Sequence, residues 1–301
     1  MKRPFLAMLL GLAVLGGTAV AAPTAQARPR VSHVVVVVME NQEYSSIIGN
    51  AQAPYLNTLA TRKVLLTDDH AITHPSLPNY LALTGGSTFG ITSDCTTCSV
   101  RGAGTNLIDQ FMGRNISWKA YMETMPSACY TGATSGPFPQ QYAKRHDPFA
   151  YFDDIASSAR RCGHIVPYTR LATDLAQGAL PTFAWVTPNV CDDMHSCSIA
   201  TGDTWLSKNV PPILRGLGAN GILIITWDEG SSNAGCCGVA AGGHIATIIA
   251  GPGAANHLRV STPSDHYSVL QLIEWSLGLP FLRGARTAPP IRGWACHGPP
   301  C

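Results

Sequence analysis

The sequence predicts an α/β fold: a three-layer α/β/α sandwich with a mostly parallel central sheet. Three observations predict it. Apolar, β-branched runs recur at residues 34–39, 183–187 and 222–227, with the length and composition of buried strands. Segments of helical period stand between such runs, the alternation that pairs strands in parallel and covers both faces of a sheet. No linker-like tract and no internal repeat divides the 301 residues, so a single domain is expected.

The elements follow in order. Residues 33–39 form a first strand built on five valines and Met39. In residues 53–62, Tyr55, Leu56 and Leu59 recur at helical spacing. Residues 64–66 make a short strand. Residues 78–85 read as a helix, with Pro78 near its start and Gly85-Gly86 at its end. Residues 105–114 form another, capped by Thr105 or Asn106. Residues 117–121 are a strand. Residues 126–148 are rich in Pro, Gly and Ser and read as a long loop, a length that usually signals function or disorder. The strand at 183–187 ends at Thr187-Pro188. Residues 204–215 are an amphipathic helix, 222–227 a central strand and 231–243 a Gly-rich loop. Residues 245–250 form a strand stopped by Gly251-Pro252, and 265–277 the last long helix.

Composition narrows the function. The chain is 46% hydrophobic and 13% charged, with a formal net charge of +2 and no basic block, so a nucleic-acid partner has no electrostatic support. The first residues have the form of an export signal. Lys2 and Arg3 are its positive head, residues 5–20 its apolar middle, and Ala25-Gln26-Ala27 its small-residue cleavage site. A signal over 1–27 and a catalytic domain over 28–301 are expected, with no stable membrane span after cleavage and a secreted or extracytoplasmic location. An uncleaved anchor is the alternative. All ten cysteines lie beyond the signal, an even number that reads as disulfides in an exported chain. Closure of Cys95 with Cys98, Cys129 with Cys162, Cys191 with Cys197 and Cys296 with Cys301 suits their spacing. Cys236-Cys237 makes a vicinal bridge or reaches other partners.

The chemistry collects at strand ends, where α/β proteins place their sites. Glu40-Asn41 follows the first strand and Asp228-Glu229 follows the strand at 222–227. Acids buried there need a partner or a metal, and oxygen donors suit a hard divalent ion. For Asn41 the competing role is a helix N-cap, and for Asp228-Glu229 a solvated loop. In His74-Pro75-Ser76-Leu77-Pro78-Asn79, two prolines fix the backbone around Ser76 just before a helix. Helix N-terminal amides and a cation would stabilise its alkoxide and a bound phosphate, so Ser76 is the candidate nucleophile. Its competing role is a plain serine cap. Asp192, Asp193 and His195 follow a third strand and are candidates for acid, base or ligand, or for a surface loop clamped by Cys191 and Cys197. His244, after Gly242-Gly243, faces the site or is a satisfied core histidine. Lys144 and His146, beside the long loop, are candidate phosphate contacts or ordinary surface charge.

Several of these motifs, in this order, resemble the bacterial and fungal phosphoesterase family that includes acid phosphatases and non-haemolytic type phospholipases C. The matching stretches are 35–49 with Met39-Glu40-Asn41 and 73–86 with His74-Pro75-Ser76-Leu77-Pro78-Asn79-Tyr80. Next come 107–126, 144–152 with His146 and Pro148-Phe149, and 188–206 with Asp193-Met194-His195 and Gly202-Asp203. The last are 223–230 and 265–279. The family is similar to a trimmed branch of the alkaline phosphatase superfamily. The resemblance implies an alkaline phosphatase-like fold, Ser76 as nucleophile, Glu40 as the acid of the first strand, and Asp228 with Glu229 as the late ligand pair. Asp192, Asp193 and His195 map loosely onto a segment of two-metal relatives. Asn189 stands where an acid would open that segment, so one principal metal is expected.

The expected protein is thus a secreted hydrolase of phosphate esters using one divalent ion (Ca, Mg, Zn or Mn). Glu40, Asn41, Asp228, Glu229 and Ser76 hold the ion. Ser76 attacks, and His195, His74 or His244 protonates the leaving group. Asn79, Asp192, Asp193, His146 and Lys144 stand around the phosphate. The substrate is a small phosphate ester or a phospholipid headgroup. A monoesterase of acid phosphatase type is favoured, because the chain has no apolar lid and no added lipid-binding module. Phospholipase C or another phosphodiesterase is the alternative. A secreted binding protein without turnover is the further one.

Overall fold

Strand β1 (Val34–Met39) is buried at every residue. Val34, Val36 and Val38 pack into one apolar cluster, and Val35, Val37 and Met39 into another. That is the period of two expected of a strand covered on both faces. The coordinates are a computed structural model that describes residue 1, residues 31–102, residue 104 and residues 106–296. The expected signal, Thr105 as a cap and the pairing of Cys296 with Cys301 fall outside the described residues.

After β1 come α1 (Tyr44–Ile47), α2 (Pro54–Arg62), β2 (Val64–His70), α3 (Ser76–Gly85), α4 (Leu107–Phe111) and β3 (Trp118–Met122). A small hairpin of β4 (Thr134–Ser135) and β5 (Tyr142–Ala143) leads into 3-10 turns at Lys144–His146 and Pro148–Tyr151. Then follow α5 (Asp153–Ala156), α6 (Ala159–Cys162), β6 (Ile165–Pro167), α7 (Thr169–Ala176), β7 (Phe183–Thr187), α8 (Ile199–Gly216) and β8 (Ile222–Trp227). β9 (His244–Ala250), β10 (Arg259–Val260), β11 (Ser264–Asp265), α9 (His266–Ser276) and a 3-10 turn at Arg283–Arg286 complete the described chain.

The sheet runs β10-β2-β9-β8-β1-β7-β3-β6, with β11 beside β2. All its pairings are parallel except the two made by β9, which runs against β8 and β2. Helices α3 and α9 cover the face of Val34 and Val36 through Leu77, Leu81, Val269 and Ile273. Helices α2 and α8 cover the other through Leu56, Leu59, Leu206 and Ile213. The expected three layers and mostly parallel sheet are therefore present.

Local differences have local causes. The segment 126–148 is not a bare loop, because it carries the β4–β5 hairpin and the turn at Lys144–His146. Helix α8 starts earlier than the amphipathic pattern indicates, since Ser198 caps it by accepting from the Thr201 amide. It continues through Pro211 and Pro212. Asn106 caps α4 by accepting from the Asp109 amide at 3.1 Å. Asp265 caps α9 in a capping box with Ser268. Disulfides join Cys95 to Cys98, Cys129 to Cys162, Cys191 to Cys197 and Cys236 to Cys237. No described helix is long and apolar enough to cross a membrane.

Glu274 in α9 makes the stability of this scaffold depend on pH. It is fully buried and accepts from the Leu282 amide at 2.9 Å and from Gln110 at 3.1 Å, while Oε2 has no partner. Burial outweighs those bonds and pushes its carboxyl up to about 8. The folded state thus holds this proton more tightly than the unfolded chain does. The stabilisation is complete below the ordinary glutamate value and is lost as pH rises towards about 8. Urea unfolding at pH 4.5 and pH 8 should show wild type losing on the order of a few kcal/mol relative to Glu274→Gln across that window. Parallel losses in the two proteins would rule Glu274 out as the source.

Candidate active site

Register brings the first two acidic segments together. Met39 pairs with Trp227 across parallel β1 and β8, so Glu40 and Asp228 leave the sheet side by side. Both carboxyls are fully buried. Asn41 follows in a left-handed conformation (φ +56°) that asparagine tolerates better than most residues. It caps no helix. Its amide donates to Asp228 Oδ1 at 3.0 Å, and its side chain approaches Glu40 Oε2 at 3.4 Å.

Ser76 lies in the first turn of α3, and its hydroxyl does not cap that helix. It donates to Glu40 Oε2 at 3.2 Å. The cap comes from Asp94, whose Oδ1 accepts from the Leu77 amide at 2.9 Å. One turn further along α3, on the same face as Ser76, Tyr80 donates to Glu40 Oε1 at 2.5 Å. Tyr80 closes the motif of residues 74–80, and the sequence alone assigns it no role.

The loop after β7 closes the far side. The Glu40 amide donates to the Asp193 carbonyl at 2.9 Å. The Asp193 carboxyl is buried, and its Oδ1 accepts from the His195 amide at 2.8 Å. His146, at the end of the turn after the hairpin, lies between Glu40 Oε1 and Asp193 Oδ2, each 3.3 Å from a ring nitrogen. Its ring also stacks on Tyr80 at 5.5 Å. Glu229 Oε2 meets His74 Nδ1 at 2.7 Å, and the other nitrogen of His74 donates to the Ser232 carbonyl at 3.0 Å. His266, buried at the start of α9, donates from Nε2 to the Asp228 carbonyl at 2.6 Å. The loop after Glu229 closes tightly on itself: a Cβ on Gly243, at φ +100°, would sit 2.6 Å from the Gly230 Cα.

The electrostatics of this cluster are acidic and desolvated. Burial first, and then the charges of Asp228 and Asp193, push the Glu40 carboxyl well above its usual range. Burial also raises Asp193 well above its ordinary value and Asp228 to about 6. Glu229 is pushed up to about 7 by burial and then by Asp228. Burial alone would lower His74, but the Ser232 carbonyl and the Glu229 carboxylate outweigh it and raise the imidazole. Both partners of His74 are acceptors, so the His74–Glu229 pair holds a proton beyond the neutral ring. Burial, then Arg145 and His195, push His146 well below its usual range.

These residues fit a divalent cation. Asp228 Oδ2 and Asp193 Oδ2 are buried with no hydrogen-bond partner, and Glu40 and Asp228 repel each other unless a proton or a cation lies between them. Of the oxygens expected to hold it, contacts through Asn41 link those of Glu40 and Asp228, while the Glu229 carboxyl is engaged by His74. Glu40, His146 and His195 also offer atoms within 4.8 Å of one another. Both nitrogens of His195 are already engaged, Nε2 with Arg145 at 3.1 Å and Nδ1 with Ser196 at 2.9 Å. Cys236 and Cys237 stand near Asp265, but their sulfurs are bonded to each other and offer no thiolate.

Several expected residues lie elsewhere. The His244 ring stacks on Tyr44 at 4.4 Å and His70 at 5.1 Å, and its Nε2 meets the Thr67 carbonyl at 3.0 Å. It serves strand packing, because antiparallel pairing with β2 sets it opposite His70. Asn79 is spent on the Ser76 loop: it accepts from the Ile72 and Thr73 amides and donates to the Thr73 carbonyl. Asp192 accepts from Asn189 at 2.9 Å in the turn before Asp193. Lys144 donates to the Thr96 carbonyl at 2.8 Å and lies over the Tyr151 ring.

A profile of the Phosphoesterase family matches residues 50–280, and Glu40 and Asn41 stand just ahead of the match. The chain is 34% identical over 310 residues to the phosphatidylinositol-3-phosphatase of Mycobacterium tuberculosis, covering 97% of this chain and 96% of that protein. It is 31% identical over 235 residues to the phosphate-repressible acid phosphatase of Penicillium chrysogenum, covering 75% of this chain and 55% of that longer protein. Among solved structures it is similar to a protein in the alkaline phosphatase superfamily from Vibrio parahaemolyticus. There the TM-score is 0.58 at 13% identity, over 90% of this chain and 76% of the other. The phosphonate monoester hydrolase of Silicibacter pomeroyi is similar at a TM-score of 0.53 and 12% identity, over 85% and 76% of the two chains. At such identities these two likenesses bear on the fold.

Proposed function

This chain belongs to the Phosphoesterase family and is a phosphoric ester hydrolase, and on that premise we propose that it is an exported, metal-dependent phosphomonoesterase of acid phosphatase type with Ser76 as its nucleophile. One observation carries the reading. The Ser76 hydroxyl is bonded to a buried carboxylate, Glu40, beside an Asp228 oxygen that has no partner in the protein.

The division of labour follows from the contacts. Ser76 Oγ forms a bond to phosphorus as the ester P–O bond breaks, and Glu40 Oε2, 3.2 Å away, is placed to take its proton. The His74–Glu229 pair holds a proton near the surface and gives it to the departing alkoxide. Water then cleaves the phosphoserine, which releases inorganic phosphate and restores the hydroxyl. Two displacements leave the configuration at phosphorus retained. Tyr80 and His146 hold Glu40 in place, and His266 holds the Asp228 backbone. A divalent cation at Glu40, Asn41, Asp228 and Glu229 would supply positive charge against the serine alkoxide and the phosphoryl oxygens.

Residues 1–27 are placed in this proposal as the export signal and 28–301 as one catalytic domain. The even number of cysteines and the four disulfides support an oxidising location. Kinship with the phosphatidylinositol-3-phosphatase makes a phosphorylated inositol lipid a candidate substrate beside soluble monoesters. The test is protein recovered from culture medium, its N-terminus read for Arg28. It is assayed on p-nitrophenyl phosphate, its bis ester, phosphatidylcholine micelles and vesicles containing phosphatidylinositol 3-phosphate. The monoesters should turn over at least about 10²-fold faster than the diesters. Faster release from the bis ester or phosphatidylcholine would make the protein a phosphodiesterase.

A further inference from the structure

We propose that Arg145 is the specificity-determining cation of this site, held by Asp94 and His195 to receive the second negative charge of a phosphomonoester. The inference rests on the phosphomonoesterase reading and deepens it.

The need for such a group follows from charge. Glu40, Asp193, Asp228, Glu229 and Asp94 crowd the site, and a dianionic phosphoryl group must enter it. A diester carries one charge less. Discrimination between the two requires a fixed positive charge facing the non-ester oxygens, and a guanidinium meets such oxygens two at a time.

Arg145 is placed for this from two sides. Its Nε lies 3.7 Å from Asp94 Oδ2, while Asp94 Oδ1 accepts from the amide of Leu77, the residue after the nucleophile. Its terminal nitrogen lies 3.1 Å from His195 Nε2. His195 in turn offers an atom within 4.8 Å of the Glu40 carboxylate that holds Ser76. The guanidinium thus stands between the start of α3 and the loop of Asp193, where a phosphoryl group attacked by Ser76 must lie. Its side chain is 25% exposed, open to an incoming anion rather than sealed in the core.

The His195 contact also settles a tautomer. Arginine only donates, so His195 Nε2 is the acceptor, and the ring proton is on Nδ1, donated to Ser196. In this arrangement His195 presents no proton towards the site. It is a positioning residue for Arg145, not the general acid that its place in the sequence suggests. Lys144, one residue earlier, is turned to Thr96 and Tyr151 and does not compete for the phosphate.

The test uses the whole exported protein at a saturating divalent ion, with wild type, Arg145→Met and Arg145→Lys. The readouts are kcat/KM for p-nitrophenyl phosphate and for its bis ester, inorganic phosphate binding by calorimetry, and thermal melting. Arg145→Met should lower monoester kcat/KM by about 10²-fold and weaken phosphate binding at least about tenfold, while diester turnover changes less than about threefold. Arg145→Lys, which keeps the charge and loses the fork, should fall between the two. An unchanged monoester-to-diester ratio with unchanged phosphate affinity overturns the assignment. If Arg145→Met does not fold, the lysine variant decides by the same ratio and affinity. Wild type preferring the diester, or hydrolysing neither ester, sinks the functional reading instead, and phosphate calorimetry still decides the role of Arg145.

Discussion

Ser76→Ala should lower kcat for p-nitrophenyl phosphate by about 10³-fold or more, by analogy with removal of other catalytic nucleophiles. The substitution deletes one oxygen, which donates to Glu40 Oε2 at 3.2 Å and also interacts with the Asp228 carboxyl. Ser76 caps no helix, so α3 keeps the cap supplied by Asp94 and should melt within a few degrees of wild type. The divalent ion should also remain, because the carboxylates of Glu40, Asp228 and Glu229 are untouched. A short quench of wild type with radiolabelled monoester should trap label on Ser76, and none on the alanine variant. Near-normal turnover by Ser76→Ala, or label on another residue, would end the covalent scheme.

Stripping the cation should cost as much. Excess chelator is expected to reduce turnover at least about 10³-fold, with recovery on adding back one class of divalent ion. The stripped protein should also lose stability by the ligand-linkage relation, roughly 2.7 kcal/mol where the free ion had been held at a hundred times its Kd. The cause lies in the burial of Glu40, Asp193 and Asp228, which without a cation must take up protons. Ion loss should therefore be accompanied by proton uptake, measurable in weakly buffered solution near neutral pH. Glu40→Gln, which removes one negative ligand, should lower ion stoichiometry below that of wild type by elemental analysis. Full turnover in excess chelator, or a metal content unaffected by Glu40→Gln, would exclude this oxygen cluster as the cation site.

The two predictions draw on different kinds of legibility. Ser76, Glu40, Asn41, Asp228 and Glu229, the groups of the proposal, are candidates on the sequence alone, because each stands where an apolar strand or a proline-framed segment ends. Burial in a parallel sheet writes long apolar runs into the chain, and their ends mark the sheet edge. His74 was readable for the same reason. Arg145 and Asp94 were not. One lies in a segment that reads as loop, the other beside a small disulfide ring, and neither follows a periodic run. His244 misled, since a histidine after two glycines at a strand start resembles a site residue. Antiparallel pairing instead turned it onto His70 and Tyr44.

By itself the amino-acid order determined the layered α/β class, the main strands and helices, and the family to which the chain belongs. These are consequences of periodicity and local chemistry, which act over a few residues. Only the tertiary structure decided which side chains meet: the register that sets Glu40 beside Asp228, the hairpin that delivers His146, and the turn that sends Lys144 to Thr96 and Arg145 to His195. Those outcomes depend on packing between residues far apart in the chain, where a single step of register or one turn of backbone reverses the direction of a side chain.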